Sequence, residues 1–201
     1  TEIYPLSLHD ALPICLHVLE VTDPTNPRHV RFIDGPDNTW TLQVQVADGR
    51  MITSQERIAP GWGDKPGPFG DGFQIWDLKD PENPAPIGHW KTGGKGTHRN
   101  YYDGGNYVFA TGLPEGYQGH ILQIVDISDP KSPKEVSRWW RKGQHIAGGE
   151  GGVHKDDFLH GGAYRRGDRL YMPYSAGGFV ILDISDIAKP KLVSELPFSP
   201  P

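Results

Sequence analysis

The chain has 201 residues with 20 Lys and Arg against 25 Asp and Glu, a single Cys, and 45 Gly and Pro. That is one domain's worth of chain, and its 10% aromatic content with only 22% charged residues excludes an ordinary disordered segment. The net charge of −5 without a basic stripe argues against nucleic acid, no apolar run is long enough to span a membrane, and one Cys excludes a disulfide framework or a multi-cysteine zinc site.

Residues 1–14, TEIYPLSLHDALPI, have no charged leader, apolar core or small-residue cleavage site. They are similar to the translation of a common sequencing adapter, with Pro5 in place of Thr. Residues 1–15 are therefore set apart from the fold, and His9 and Cys15 are expected to carry no chemistry.

From Leu16 a unit recurs four times, as LHVLEVTDPTNPRHVRFI, FQIWDLKDPENPAPIGHW, LQIVDISDPKSPKEVSRW and FVILDISDIAKPKLVSEL. Each has an anchor acid, Asp23, Asp80, Asp129 or Asp186, and a proline four residues later. Apolar residues recur three and six positions beyond that proline, beginning with Val30, Ile87, Val136 and Val193. An Asp that bonds its own turn and a φ-fixing Pro make each copy a two-stranded hairpin. The further acid three residues before each anchor, Glu20, Asp77, Asp126 or Asp183, reads as a strand-end bonding group.

A second hairpin lies between copies, in TLQVQVADGRMITSQ, HRNYYDGGNYVFATG and HGGAYRRGDRLYMPYS. Four strands per period of about 50 residues is the pattern of a β-propeller blade. The expected fold is all-β: a partial propeller over residues 16–201, with about three and a half blades at roughly 16–37, 38–93, 94–143 and 156–201. Because propellers close at about four to eight blades, the chain is expected to be a fragment of a longer one. Its unpaired apolar faces are expected to make residues 16–201 alone associate or dissolve poorly.

LQIVD and FVILD, followed by SDP and SDI, closely resemble the LVIVD repeat, and FQIWD and LHVLE resemble it less tightly. The resemblance implies a bacterial or archaeal propeller, exported or at the cell surface, and supplies no catalytic residues.

In a propeller the first strand of each blade lines the channel. The connections from strand four to the next strand one share a face with those between strands two and three. Long loops at 55–72 and 141–158 both fall on that face, the expected ligand face. His98 and His160 enter matching innermost strands, each four residues before a tyrosine, with Leu42 at the corresponding place one blade earlier. With His154 and Asp157 they could hold Zn²⁺, Mn²⁺ or Fe²⁺; the alternative is that the imidazoles bond backbone carbonyls or channel waters. Trp62, Asp64, Arg99, His145, Glu150 and Asp156 complete the expected ligand face. Tyr101, Tyr102 and Tyr117 could add an aromatic surface, whereas Trp76, Trp90 and Trp139 read as packing between blades. His29, His89 and His120 read as structural, outside the channel mouth. The glycine runs at Gly93 and Gly148 lack phosphate-loop context, and no GxSxG nucleophile motif occurs.

Two functions follow. One is an exported propeller binding a small molecule or protein on its long-loop face. The other is a metal-dependent enzyme, hydrolytic or oxidative, with a His-lined site at the channel mouth.

Overall fold

A computed structural model describes residues 16–198. The adapter-like segment, with His9 and Cys15, lies outside the described residues. Fifteen strands follow one another: β1 (Leu16–Glu20), β2 (Arg28–Ile33), β3 (Thr39–Trp40), β4 (Val44–Ala47), β5 (Arg50–Arg57), β6 (Gly72–Asp77), β7 (Ala85–Trp90) and β8 (Gly94–Thr97). The chain continues through β9 (Tyr107–Pro114), β10 (Ile121–Asp126), β11 (Lys134–Trp139), β12 (Tyr164–Arg166), β13 (Arg169–Tyr174), β14 (Gly178–Asp183) and β15 (Lys191–Leu196). The described helical content is a single 3-10 turn at Ile146–Gly148.

All but one of the strand pairs are antiparallel neighbours within a blade. β1 and β2 form a hairpin, β12 to β15 form a four-stranded sheet, and β3 to β11 run as one sheet. That long sheet is two blades joined by one residue pair, Glu56 opposite Gly96. Its innermost strands are broken: β3 and β4 both pair with β5, and β8 is extended by Tyr101 opposite Phe109. The fold is a β-propeller arrangement of four-stranded units, as the repeat implies.

The anchor acids do what their chemistry requires. Asp23, Asp80, Asp129 and Asp186 accept the backbone N–H two residues on at 3.0, 3.2, 3.0 and 3.1 Å. The preceding acids Glu20, Asp77, Asp126 and Asp183 do the same at 2.6, 2.8, 2.7 and 2.8 Å. Eight carboxylates thus replace ladder partners at turns where the backbone would otherwise be unpaired.

The apolar position after each proline has a more specific role. In all four copies the register slips by one residue at the same place, leaving Val30, Ile87, Val136 and Val193 as the extra residue of a β-bulge. A bulge bends and twists the outer strand. The next residue then meets the following blade's turn: Arg31 reaches Asn83, Gly88 lies against the Pro130 carbonyl, and Ser137 donates to the Ile187 carbonyl at 2.7 Å.

Each core cluster fills the space between consecutive blades. Ile52, Phe73 and Ile75 pack with Val108, Ala110 and Val125. The other face of the same blade offers Phe109, Leu122 and Ile124 to Leu170, Met172 and Val180. β9 and β10 are therefore apolar on both sides, because period-two alternation sends neighbouring residues to different interfaces. Trp90 packs on Phe73 with ring centroids 5.3 Å apart, and Trp139 meets Tyr174 edge-on at 6.0 Å, the packing roles expected of them.

Candidate metal centre

Three side chains converge where two blades are sewn together. Glu56 comes from the end of β5, His98 directly follows β8, and His120 ends the loop between β9 and β10. The Glu56–Gly96 pair brings β5 and β8 into register only because Gly96 has no side chain: a Cβ there would meet the Gln55 carbonyl at 2.1 Å. Glu56 Oε2 then accepts from His98 Nδ1 at 2.5 Å, and Oε1 accepts from His120 Nε2 at 2.5 Å. One donor atom from each residue lies within 4.8 Å of the others, so the three could share one ion once it replaced the two hydrogen bonds.

The electrostatics are those of a buried anion held by two imidazoles. Burial of Glu56 favours protonation, but the hydrogen bonds from His120 and His98 outweigh it and hold the carboxyl at about 2. Ionised, the carboxylate can only accept, so both bonds are donated by ring N–H groups. Nδ1 of His120 is buried with no hydrogen-bond partner among the described residues, so protein groups alone do not complete the cluster's bonding.

His160 occupies the place in its blade that His98 holds in the preceding one. The His98 N–H bonds the Thr111 carbonyl at 2.8 Å, and the His160 N–H bonds the equivalent Pro173 carbonyl at 3.2 Å. Their rings stack with centroids 5.3 Å apart. Partial burial, with His98, Arg99 and His120 nearby, pushes the His160 pKa down and favours the neutral ring.

The other expected site residues are elsewhere. His154 is exposed beside Asp156, 3.7 Å from its carboxylate. Both Asp157 oxygens accept from Arg141 Nη1, at 2.7 and 2.8 Å, which commits that carboxylate to an ion pair. Glu150 folds its own loop, accepting the N–H groups of Gly143 and His145 at 2.7 and 2.9 Å. His145 stacks on Tyr117 at 4.4 Å, Asp64 accepts from the Gly61 N–H at 3.0 Å, and Arg99 is exposed. Trp62, 74% exposed, stands edge-on to Trp40. Leu42 is exposed and is absent from the cluster.

Two residues of the trio were not expected at this place. His120, read as structural and outside the channel mouth, stands beside Glu56 and His98 instead: its loop joins strands two and three of its blade, and the propeller topology itself puts such loops on the long-loop face. Glu56 was read as loop, but β5 continues through Arg57 and thereby fixes its carboxylate.

Beside the trio opens a cavity of about 350 Å³. Ile58, Ala59 and Pro60 of one long loop and Phe158 of the other contribute to its lining, with Trp40, Leu113, Arg57, Lys95 and the four site residues. Both loops are pinned: Asn38 bonds the Lys65 N–H and the Pro68 carbonyl, and Gln118 bonds both backbone groups of Val153.

Four-stranded antiparallel units carrying a histidine-lined cavity on the face of their long loops define the chain as a β-propeller protein with a candidate metal centre. The LVIVD repeat model matches residues 116–139 and 166–196, and the chain carries LVIVD repeats. A solved structure described as a functionally unknown protein from Desulfotomaculum acetoxidans DSM 771 is similar in fold, with a TM-score of 0.58 at 10% identity. The match covers 90% of this chain and 49% of that one, so this chain spans about half its length. No curated protein matches the sequence.

Proposed function

We propose that Glu56, His98 and His120 hold a divalent transition-metal ion and that the protein is a metal-dependent enzyme acting on a small molecule in the adjoining cavity. The observation that carries this reading is the convergence of one carboxylate and two imidazoles in the wall of that cavity. This donor set suits Zn²⁺, Fe²⁺ or Mn²⁺, and three protein ligands leave a position free, as catalytic rather than structural sites do. When bound, such an ion supplies Lewis acidity and lowers the pKa of a coordinated water.

The chain's own groups do the rest. Glu56 supplies the negative charge; in the metal-free protein it accepts the His98 and His120 ring protons, and an ion on those nitrogens would take the place of both hydrogen bonds, the protons leaving or moving to the rings' other nitrogens. Ile58, Leu113 and Phe158 reduce access of bulk water. His160, neutral and stacked on His98 outside the trio, is placed to take a proton from a bound molecule. An extracytoplasmic location, implied by the repeat resemblance, is part of the same proposal. A second reading, a propeller that binds a ligand without turnover, is favoured by the apolar lining of the cavity.

Elemental analysis of the full chain purified without added metal tests the first reading. About one equivalent of transition metal is expected, retained in His154→Ala and lost in the His98→Ala/His120→Ala double variant. Absence of stoichiometric metal, or its retention in the double variant, overturns it.

A further inference from the structure

The cavity lining is mainly apolar and also carries two cations. Trp40, Ile58, Leu113 and Phe158 supply apolar surface, and Lys95 and Arg57 are its two permanent cations. Its one carboxylate, Glu56, has both oxygens taken by His98 and His120. Among the described residues no Asp or Glu lies within ion-pair distance of Lys95 or Arg57, although eight other Lys or Arg pairings of this kind occur. Arg57 is instead braced 5.3 Å over the Phe69 ring, which holds its guanidinium in place without neutralising it. Lys95, which contributes to the cavity lining, is adjacent to Gly96, the residue paired with Glu56.

We infer that the cavity takes a small apolar molecule carrying one carboxylate, with the carboxylate held by Lys95 and Arg57 and the apolar body lying against Trp40, Ile58, Leu113 and Phe158. Two cations with no carboxylate within ion-pair distance favour an anion, although Asp71 and Glu115 share a neighbouring cavity with Lys95, and the apolar walls reward a hydrocarbon or aromatic body. At about 350 Å³ the space is at the small end of ligand pockets, which limits the molecule to metabolite size. This inference rests on the metal-centre reading only for which end of the molecule would react: with its carboxylate on Lys95 and Arg57, the apolar body is left to meet the trio and His160.

Calorimetric titration of the full chain with benzoate and with its neutral isostere benzamide tests the assignment, in zinc-loaded and chelator-treated samples. Benzoate is expected to bind at least about tenfold more tightly than benzamide, the worth of one charge-assisted hydrogen bond. It should weaken by a similar factor in Lys95→Gln and in Arg57→Gln, and with rising salt in the unsubstituted protein, which needs no variant to fold. The preference should persist in chelator. Equal binding of the two probes, or no effect of either substitution, overturns the inference and leaves the metal reading intact. Benzoate binding lost on chelation overturns it too, because the anion would then be a metal ligand. A Lys95-dependent preference in protein that takes up no zinc supports the cavity assignment while the metal reading fails.

Discussion

Gly88→Ala is expected to destabilise the protein by about 3 kcal/mol, because inter-blade packing leaves no room for one methyl group. A Cβ at Gly88 would lie 1.6 Å from the Pro130 carbonyl oxygen. That carbonyl belongs to the next blade's Asp129 turn, and a carboxylate-bonded turn cannot retreat without breaking the 3.0 Å bond from the Lys131 N–H. The bulge at Ile87 turns Gly88 toward that neighbour. Gly49→Ala is the control: its φ of +67° strains an alanine, but nothing lies within 4 Å of the added atom, so the cost should be about 1 kcal/mol. Urea unfolding of the two variants checks this, and equal losses would show that blade-to-blade contact does not limit stability.

Glu56→Gln should have the largest effect of any substitution at the site. In metal-free protein the carboxyl is held at about 2 against an ordinary value of 4.5, so its folded-state pKa is depressed. Such a group stabilises the fold fully above the unfolded value and loses that contribution as pH falls from about 4.5 toward 2. The difference corresponds to on the order of 3 kcal/mol at neutral pH. Urea unfolding in chelator between pH 7 and pH 3 should show Glu56→Gln less stable at neutral pH and the gap narrowing on acidification. A gap that is absent, or that widens in acid, would contradict the described bonding. Under the proposed metal-centre reading, the same substitution removes the trio's anionic ligand, and metal affinity should fall by about two orders of magnitude.

The architecture was legible because the repeat encodes it. An Asp whose side chain bonds its own turn and a proline that fixes φ are local devices, readable without knowing what packs against them. The matching positions of His98 and His160 followed from blade phase alone, and the structure places the two rings in contact. The bulge was only half legible: the apolar residue after each proline was visible as a period, but its role depends on a register that no single strand shows. The carboxylate of the trio was hidden for the same reason. Glu56 meets His98 because β5 and β8 pair at one residue, a contact spanning 42 positions that depends on Gly96 having no side chain. His154 and Asp157 suggested ligands by loop proximity, yet loop spacing does not fix direction, and Arg141 claims Asp157 from across the loop.

The most direct test of the central claim is an anomalous difference map from crystals of the full chain grown with zinc. A single strong peak is expected at about 2.0–2.2 Å from a Glu56 carboxylate oxygen, His98 Nδ1 and His120 Nε2, with His160 outside the coordination sphere. A map with no peak among those three atoms, or with its strongest peak at His154 and Asp156, would contradict the account.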